Sequence, residues 1–173
     1  MKQSIFAALA VLLTAAGSVD ARETSAHVHG AARMQVAVEG NTLELELISP
    51  LDSLLGFEHA PRNEQQRKAV QAMSEKFRKP ETLIVPTAAA RCTSGPAHVT
   101  SPVTDATNSK QEDSHAELEA VITFQCASPS ALKGLEVRLF EAFPHLHRLQ
   151  VQMVGPRGQS ASTLTPKRRA LSW

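Results

Sequence analysis

Residues 26–50 read AHVHGAARMQVAVEGNTLELELISP and predict a β-hairpin. Gly40 and Asn41 supply a tight turn, since both residue types tolerate positive φ. The leucines after the turn alternate with glutamates, which predicts a strand with one buried face. Before the turn, a period of two separates one apolar and one polar set. The apolar set is Val28, Ala32, Met34, Val36 and Val38, and the polar set is His27, His29, Arg33, Gln35 and Glu39.

The N-terminus has the pattern of a secretory signal peptide. Lys2 gives a positive start, residues 5–16 are apolar, and a small-residue site ends at Ala21. The alternative, a membrane anchor, needs about 20 apolar residues. We therefore expect a signal peptide at 1–21 and a single exported, β-rich domain at 22–173, with no membrane span after cleavage. The formal charge of +1 gives no indication of nucleic-acid binding.

Two cysteines, Cys92 and Cys126, remain after cleavage. An even count in an exported chain predicts a disulfide. Two free thiols, or a cysteine bound to a metal, are the alternatives. The oxidising compartment favours the disulfide, which would staple the fold.

The remaining pattern predicts one substantial helix among strands. Asn63 caps a helix that runs to about Lys79 and stops at Pro80. A flexible polar loop is expected at about 93–113, because Ser, Thr, Pro, Asn and Asp dominate there. Alternating strands are expected at 114–126, 146–154 and 159–164, with a short helical turn at 51–55, a strand and then a helical turn at 135–143, and an edge strand in the tail. The fold class is mainly β with one helix (α+β), an antiparallel sheet or sandwich.

Seven histidines point to a metal. If His27 and His29 lie on one face of a strand, their rings can converge on one ion. His59 and His115 complete the preferred ligand set. His145 and His147 form a second pair with an apolar neighbourhood, which favours a buried structural role and makes them reserves. Glu58 and Glu117 are reserve ligands or partners for a ring N–H, and His98 is a bystander. A frayed terminus is the alternative for the first pair.

The sequence resembles the ZrgA-type periplasmic zinc-binding proteins of Gram-negative bacteria over nearly all of the expected mature chain. The specific pieces are the H-x-H-G motif at 27–30 and the G-F-E-H-A-P loop at 56–61. The resemblance implies Zn²⁺ binding in zinc acquisition or homeostasis, with a zinc transport system of the cell envelope as partner. Family members often carry a His- and Asp-rich loop between the cysteines; here residues 93–113 occupy that place with a single histidine, His98, which implies a single site.

Three other functions compete with zinc binding. Cu²⁺ or Ni²⁺ would accept the same imidazoles. A non-catalytic exported β-domain could bind a protein partner, with the histidines incidental. A metallohydrolase with Glu58 or Glu117 as base ranks last, because no H-E-x-x-H signature is present. We therefore expect no enzyme activity.

Overall fold

The computed structural model describes residues 28–104 and 116–173. The predicted signal peptide, His27 and His115 lie outside these ranges. No helix within them combines the length and hydropathy of a membrane span.

The described chain forms two β-sheets and three α-helices. The helices are α1 (Leu51–Leu55), α2 (Glu64–Phe77) and α3 (Leu139–Ala142). The strands are β1 (Ala31–Glu39), β2 (Thr42–Pro50), β3 (Ile84–Pro86), β4 (Cys92–Ser94), β5 (His98–Thr100), β6 (Glu117–Cys126), β7 (Gly134–Val137), β8 (Arg148–Gly155), β9 (Gly158–Leu164) and β10 (Ala170–Ser172). Single turns of 3₁₀-helix occur at Pro80–Thr82, Ala88–Ala90 and Pro129–Ala131.

The large sheet has the strand order β4-β6-β2-β1-β8-β9, with β5 also paired to β6. The predicted hairpin is confirmed, with Val36 opposite Leu45. All pairs in this sheet are antiparallel except β1 with β8, which run parallel. The small sheet has the order β10-β7-β3 and is antiparallel. The predicted fold class, a strand-rich antiparallel architecture with one substantial helix, is confirmed.

One face of the large sheet is buried, as strict alternation requires. Leu43, Leu45 and Leu47 of β2 are almost fully buried. Met73 and Phe77 of α2 belong to the same core cluster, as do residues of the small sheet. The hydrophobic core therefore joins the large sheet to a second layer built from α2 and the small sheet.

The predicted helix and disulfide are both present. The side chain of Asn63 accepts a hydrogen bond from the Gln66 N–H and caps α2, which ends three residues before Pro80. Cys92 and Cys126 form the disulfide and lie opposite each other on β4 and β6.

Two local predictions differ from the structure. The hairpin strand begins at Ala31, because Gly30 has a φ of +73° and breaks the alternation. Val28, expected on the buried face, is 52% exposed. Within the expected loop at 93–113, residues 92–94 and 98–100 pair with β6, since backbone pairing there needs no apolar period.

Candidate metal centre

Several of the candidate ligands lie at the end of the large sheet where β1 and β8 begin and β2 ends. We call this set the histidine rim; it comprises His29, Asp52, Glu58, His59, His145 and His147. Three segments meet here: the turn before β1, helix α1 with the loop after it, and the turn before β8.

Gly30 joins these segments. Its carbonyl oxygen accepts hydrogen bonds from the backbone N–H groups of His147 (2.8 Å) and Arg148 (3.0 Å). Its own N–H donates to the Ser53 hydroxyl oxygen of α1 (3.1 Å). That hydroxyl, buried in α1, donates to the carbonyl oxygen of Ala31 (3.3 Å). The backbone next to His29 is therefore held by α1 and by the turn before β8, although the His29 side chain is exposed.

His29 is held by a carboxylate. Its Nδ1 lies 2.6 Å from Oδ2 of Asp52, and the His29 side chain is 75% exposed against 27% for Asp52. The hydrogen bond to Asp52 and its charge raise the pKa of His29 above the usual value; Glu58 adds a smaller charge effect in the same direction. With Nδ1–H donating to Asp52, a neutral His29 ring presents the Nε2 lone pair to solvent.

His29 was expected on the polar face of a strand, and that prediction is wrong. The residue lies in the turn closed by the hydrogen bond from the Ala31 N–H to the Val28 carbonyl (3.1 Å). His27, the other member of the expected pair, lies outside the described residues. The i, i+2 geometry of a strand therefore does not apply to His29.

His145 and His147 are exposed, so the buried role favoured by their sequence neighbourhood is wrong. Leu146 between them is buried, and β8 begins only at Arg148, which shifts the alternation. The His147 ring covers Gly30: a Cβ added there would lie 2.9 Å from His147 Cδ2. The His145 ring covers Gly56 in the same way, with Nε2 2.9 Å from such a Cβ. Both reserve histidines therefore belong to the rim.

His59 is half-buried on the loop after α1. Its ring stacks on Phe57 with the centroids 5.3 Å apart, and its Nδ1 lies 2.9 Å from the carbonyl oxygen of Ala60. The Nδ1–H therefore donates to its own backbone, and Nε2 is the nitrogen left to bind a metal. Glu58, the residue before His59, exerts a small charge effect on His29.

Of the other predicted residues, Glu117 lies near the rim and His98 lies far from it. Glu117 begins β6 opposite Pro50, and the Ala116 carbonyl accepts a hydrogen bond from the Leu51 N–H (2.9 Å), beside Asp52. His98 is exposed on β5 opposite Val121. Val121 is four residues from Glu117, which corresponds to about 13 Å along the strand. His98 is thus remote from the rim, as expected.

Within residues 28–104 and 116–173, no three side chains of His, Cys, Asp or Glu are arranged to hold a metal ion. The described rim supplies a positioned imidazole and its carboxylate rather than a complete coordination sphere. Sequence reasoning missed Asp52, which sits in the first turn of α1. No sequence pattern links Asp52, which lies two residues after Pro50, to a histidine 23 positions earlier.

The fold and the rim define a β-rich protein with imidazoles, most of them exposed, and partly buried carboxylates at one sheet end, a donor set that suits borderline divalent metals. The sequence pattern of a family described as "ZrgA family zinc uptake protein" matches residues 26–173. The chain belongs to this family, which confirms the resemblance stated above and supports a zinc-related function. No individually curated protein gave a match.

Proposed function

We propose that this protein binds Zn²⁺ in the periplasm through the histidine rim and so supplies zinc uptake. The observation that carries the proposal is the His29–Asp52 pair. Metal-binding histidines commonly donate the second ring N–H to a carboxylate, which fixes the tautomer and increases the basicity of the ligating nitrogen. His29 has this partner at 2.6 Å and is exposed. We therefore assign His29 Nε2 as a zinc ligand.

The further ligands come from the segments that converge on Gly30. His147 and His145 lie over Gly30 and Gly56, and their rings are exposed on short turns. His27 and His115, which lie outside the described residues, stay in the proposed ligand set on the sequence pattern alone. His59 Nε2 is a further candidate. Three or four of these imidazoles satisfy the tetrahedral preference of Zn²⁺.

The donor set favours a carrier over a catalyst. Imidazoles on exposed turns allow an ion to enter and leave, which a transported ion requires. Because residues 93–113 contain a single histidine, His98, we expect about one ion per chain, and transfer to a zinc transport system of the envelope.

Isothermal titration calorimetry with ZnCl₂ on the purified chain tests the assignment. We expect one site in the wild type, and a loss of affinity of at least about tenfold in His29→Ala and more in His27→Ala/His29→Ala. The matched control is His98→Ala, which removes an exposed imidazole remote from the rim. Equal affinities in the wild type and the double variant would overturn the ligand assignment. No zinc binding by the wild type would overturn the function.

The compartment has its own test. Expression of the full chain followed by osmotic shock should release a protein whose mass corresponds to a chain that begins at Arg22. Retention in the cytoplasm at full mass would contradict export while leaving the metal chemistry intact.

A further inference from the structure

A groove lies at the opposite end of the large sheet from the histidine rim. It has a volume of about 360 Å³ and is lined by the end of β1, the β8–β9 turn, the segment before β7 and the C-terminal residue. We call it the Trp173 groove. Because β1 has nine residues, roughly 30 Å of strand separates it from the rim. The groove is therefore spatially separate from the proposed metal site.

The floor of the groove is apolar. Leu132 is buried, and Val38 and Trp173 are partly buried against the hydrophobic core. Pro156 adds an exposed apolar wall from the hairpin turn. The volume falls in the range of about 300–1,000 Å³ that is typical of small-molecule sites.

Two cations border this floor. Lys133 and Arg157 are exposed, line the groove, and enter no ion pair among the described residues. No Asp or Glu is among the described residues that line it, and the nearest acid along the chain, Glu39, lies between two lining positions without lining the groove. An apolar floor beside two unpaired cations is complementary to an anion with an apolar body.

Backbone contacts hold these parts in place. The Trp173 N–H donates to the Lys133 carbonyl (3.0 Å), and the Lys133 N–H donates to the Thr87 hydroxyl oxygen (3.2 Å). Gly134 permits this closure, because a Cβ there would lie 2.3 Å from the Leu171 carbonyl oxygen. The backbones of Trp173 and Lys133 are therefore held in place beside the groove.

We propose that the Trp173 groove binds a small amphiphilic anion, an aryl or acyl carboxylate, phosphate or sulfonate, with its apolar body against Trp173 and Leu132 and its charge between Lys133 and Arg157. This proposal does not depend on zinc binding.

The chain provides its own reporter, because Trp173 is the single tryptophan and the sequence has no tyrosine. The probe is 8-anilinonaphthalene-1-sulfonate, and the matched neutral probe is N-phenyl-1-naphthylamine, which has the same aromatic body without the sulfonate. We expect energy transfer from Trp173 to the bound sulfonate probe and tighter binding of this probe than of the neutral one.

The variant Lys133→Gln/Arg157→Gln should lower the affinity for the sulfonate probe by roughly three- to tenfold, since exposed cations contribute modestly to binding. The affinity for the neutral probe should be unchanged. The control Arg62→Gln/Lys79→Gln removes the same charge from exposed positions near the two ends of α2 and should bind like the wild type. Circular dichroism verifies folding of both. Equal affinities of the two probes, an unchanged double variant, or bound probe without transfer from Trp173 would each overturn the proposal. Binding to anionic phosphatidylglycerol vesicles without binding of the monomeric probe would also overturn it.

Discussion

The two ends of the large sheet are held together by different kinds of interaction. At the end with the Trp173 groove, the Cys92–Cys126 disulfide joins two strands, and the Cys126 N–H donates to the Asn41 carbonyl in the β1–β2 turn (2.8 Å). At the rim end, turns meet through Gly30 and Ser53, and the histidine side chains are exposed. Covalent and backbone restraints therefore concentrate at one end of the sheet, and the exposed imidazoles that we propose as zinc ligands lie at the other.

The largest expected effect is the loss of stability when the disulfide is removed. Replacing both cysteines, Cys92→Ser/Cys126→Ser, should lower the free energy of unfolding by about 4 kcal/mol, because the bridge closes a loop of 34 residues. Zinc affinity at the rim should stay within about twofold in the fraction that remains folded. Urea unfolding and calorimetry measure the two quantities. A parallel fall in zinc affinity would show that the ends are coupled.

The second effect tests the rim through a residue that does not bind zinc itself. Asp52→Asn should weaken zinc affinity by about 10- to 100-fold, because the carboxylate that orients His29 is lost. The titration is repeated at several pH values, because protons compete with zinc for the His29 ring and the loss of Asp52 changes that competition. The control is Glu44→Gln, an exposed carboxylate in the middle of β2. An affinity in Asp52→Asn equal to that of the control would separate Asp52 from the site.

Sequence reasoning succeeded where a local rule operates. Alternation placed Leu43, Leu45 and Leu47 in the core, and the cap at Asn63 gave the start of α2. The even cysteine count gave the disulfide. In each case the residues that decide the structure are close in sequence or few enough to pair without ambiguity.

The rim could not be predicted in the same way, because it forms by contacts between distant turns. Asp52 meets His29 only after β2 has returned along β1, and no spacing rule links them. His145 and His147 were assigned a buried role by extending the β8 alternation backwards, yet the strand starts at Arg148. In the same way, the alternation of β1 does not extend back to His29, because Gly30 has a positive φ.

A third, smaller effect separates backbone strain from contact at the rim. Gly30→Ala should cost about 1–2 kcal/mol of stability, since an L-residue is disfavoured at φ +73°. The added Cβ also lies 2.9 Å from the His147 ring and 3.1 Å from the His145 carbonyl oxygen, so zinc affinity should fall as well. Gly40→Ala is the matched control, with φ +57° and open space around the Cβ. Loss of zinc affinity in both variants would attribute the effect to strain alone.

The smallest expected effect is the pH dependence of the His29–Asp52 pair, which concerns the rim and not the end that carries the disulfide. Because the folded-state pKa of His29 is raised, chiefly by the hydrogen bond to Asp52, its contribution to stability is present below the ordinary value of about 6.5 and is lost as the pH rises through the folded pKa. The ring is exposed, so the change is slight and salt weakens it. Zinc needs the deprotonated ring, so protons compete with the ion from a higher pH than for an ordinary histidine. An NMR titration of His29 should show a midpoint that falls in Asp52→Asn, while Glu44→Gln leaves it in place. Equal midpoints in the wild type and Asp52→Asn would mean that the pair does not persist in solution, and the tautomer argument for His29 Nε2 would fail with it.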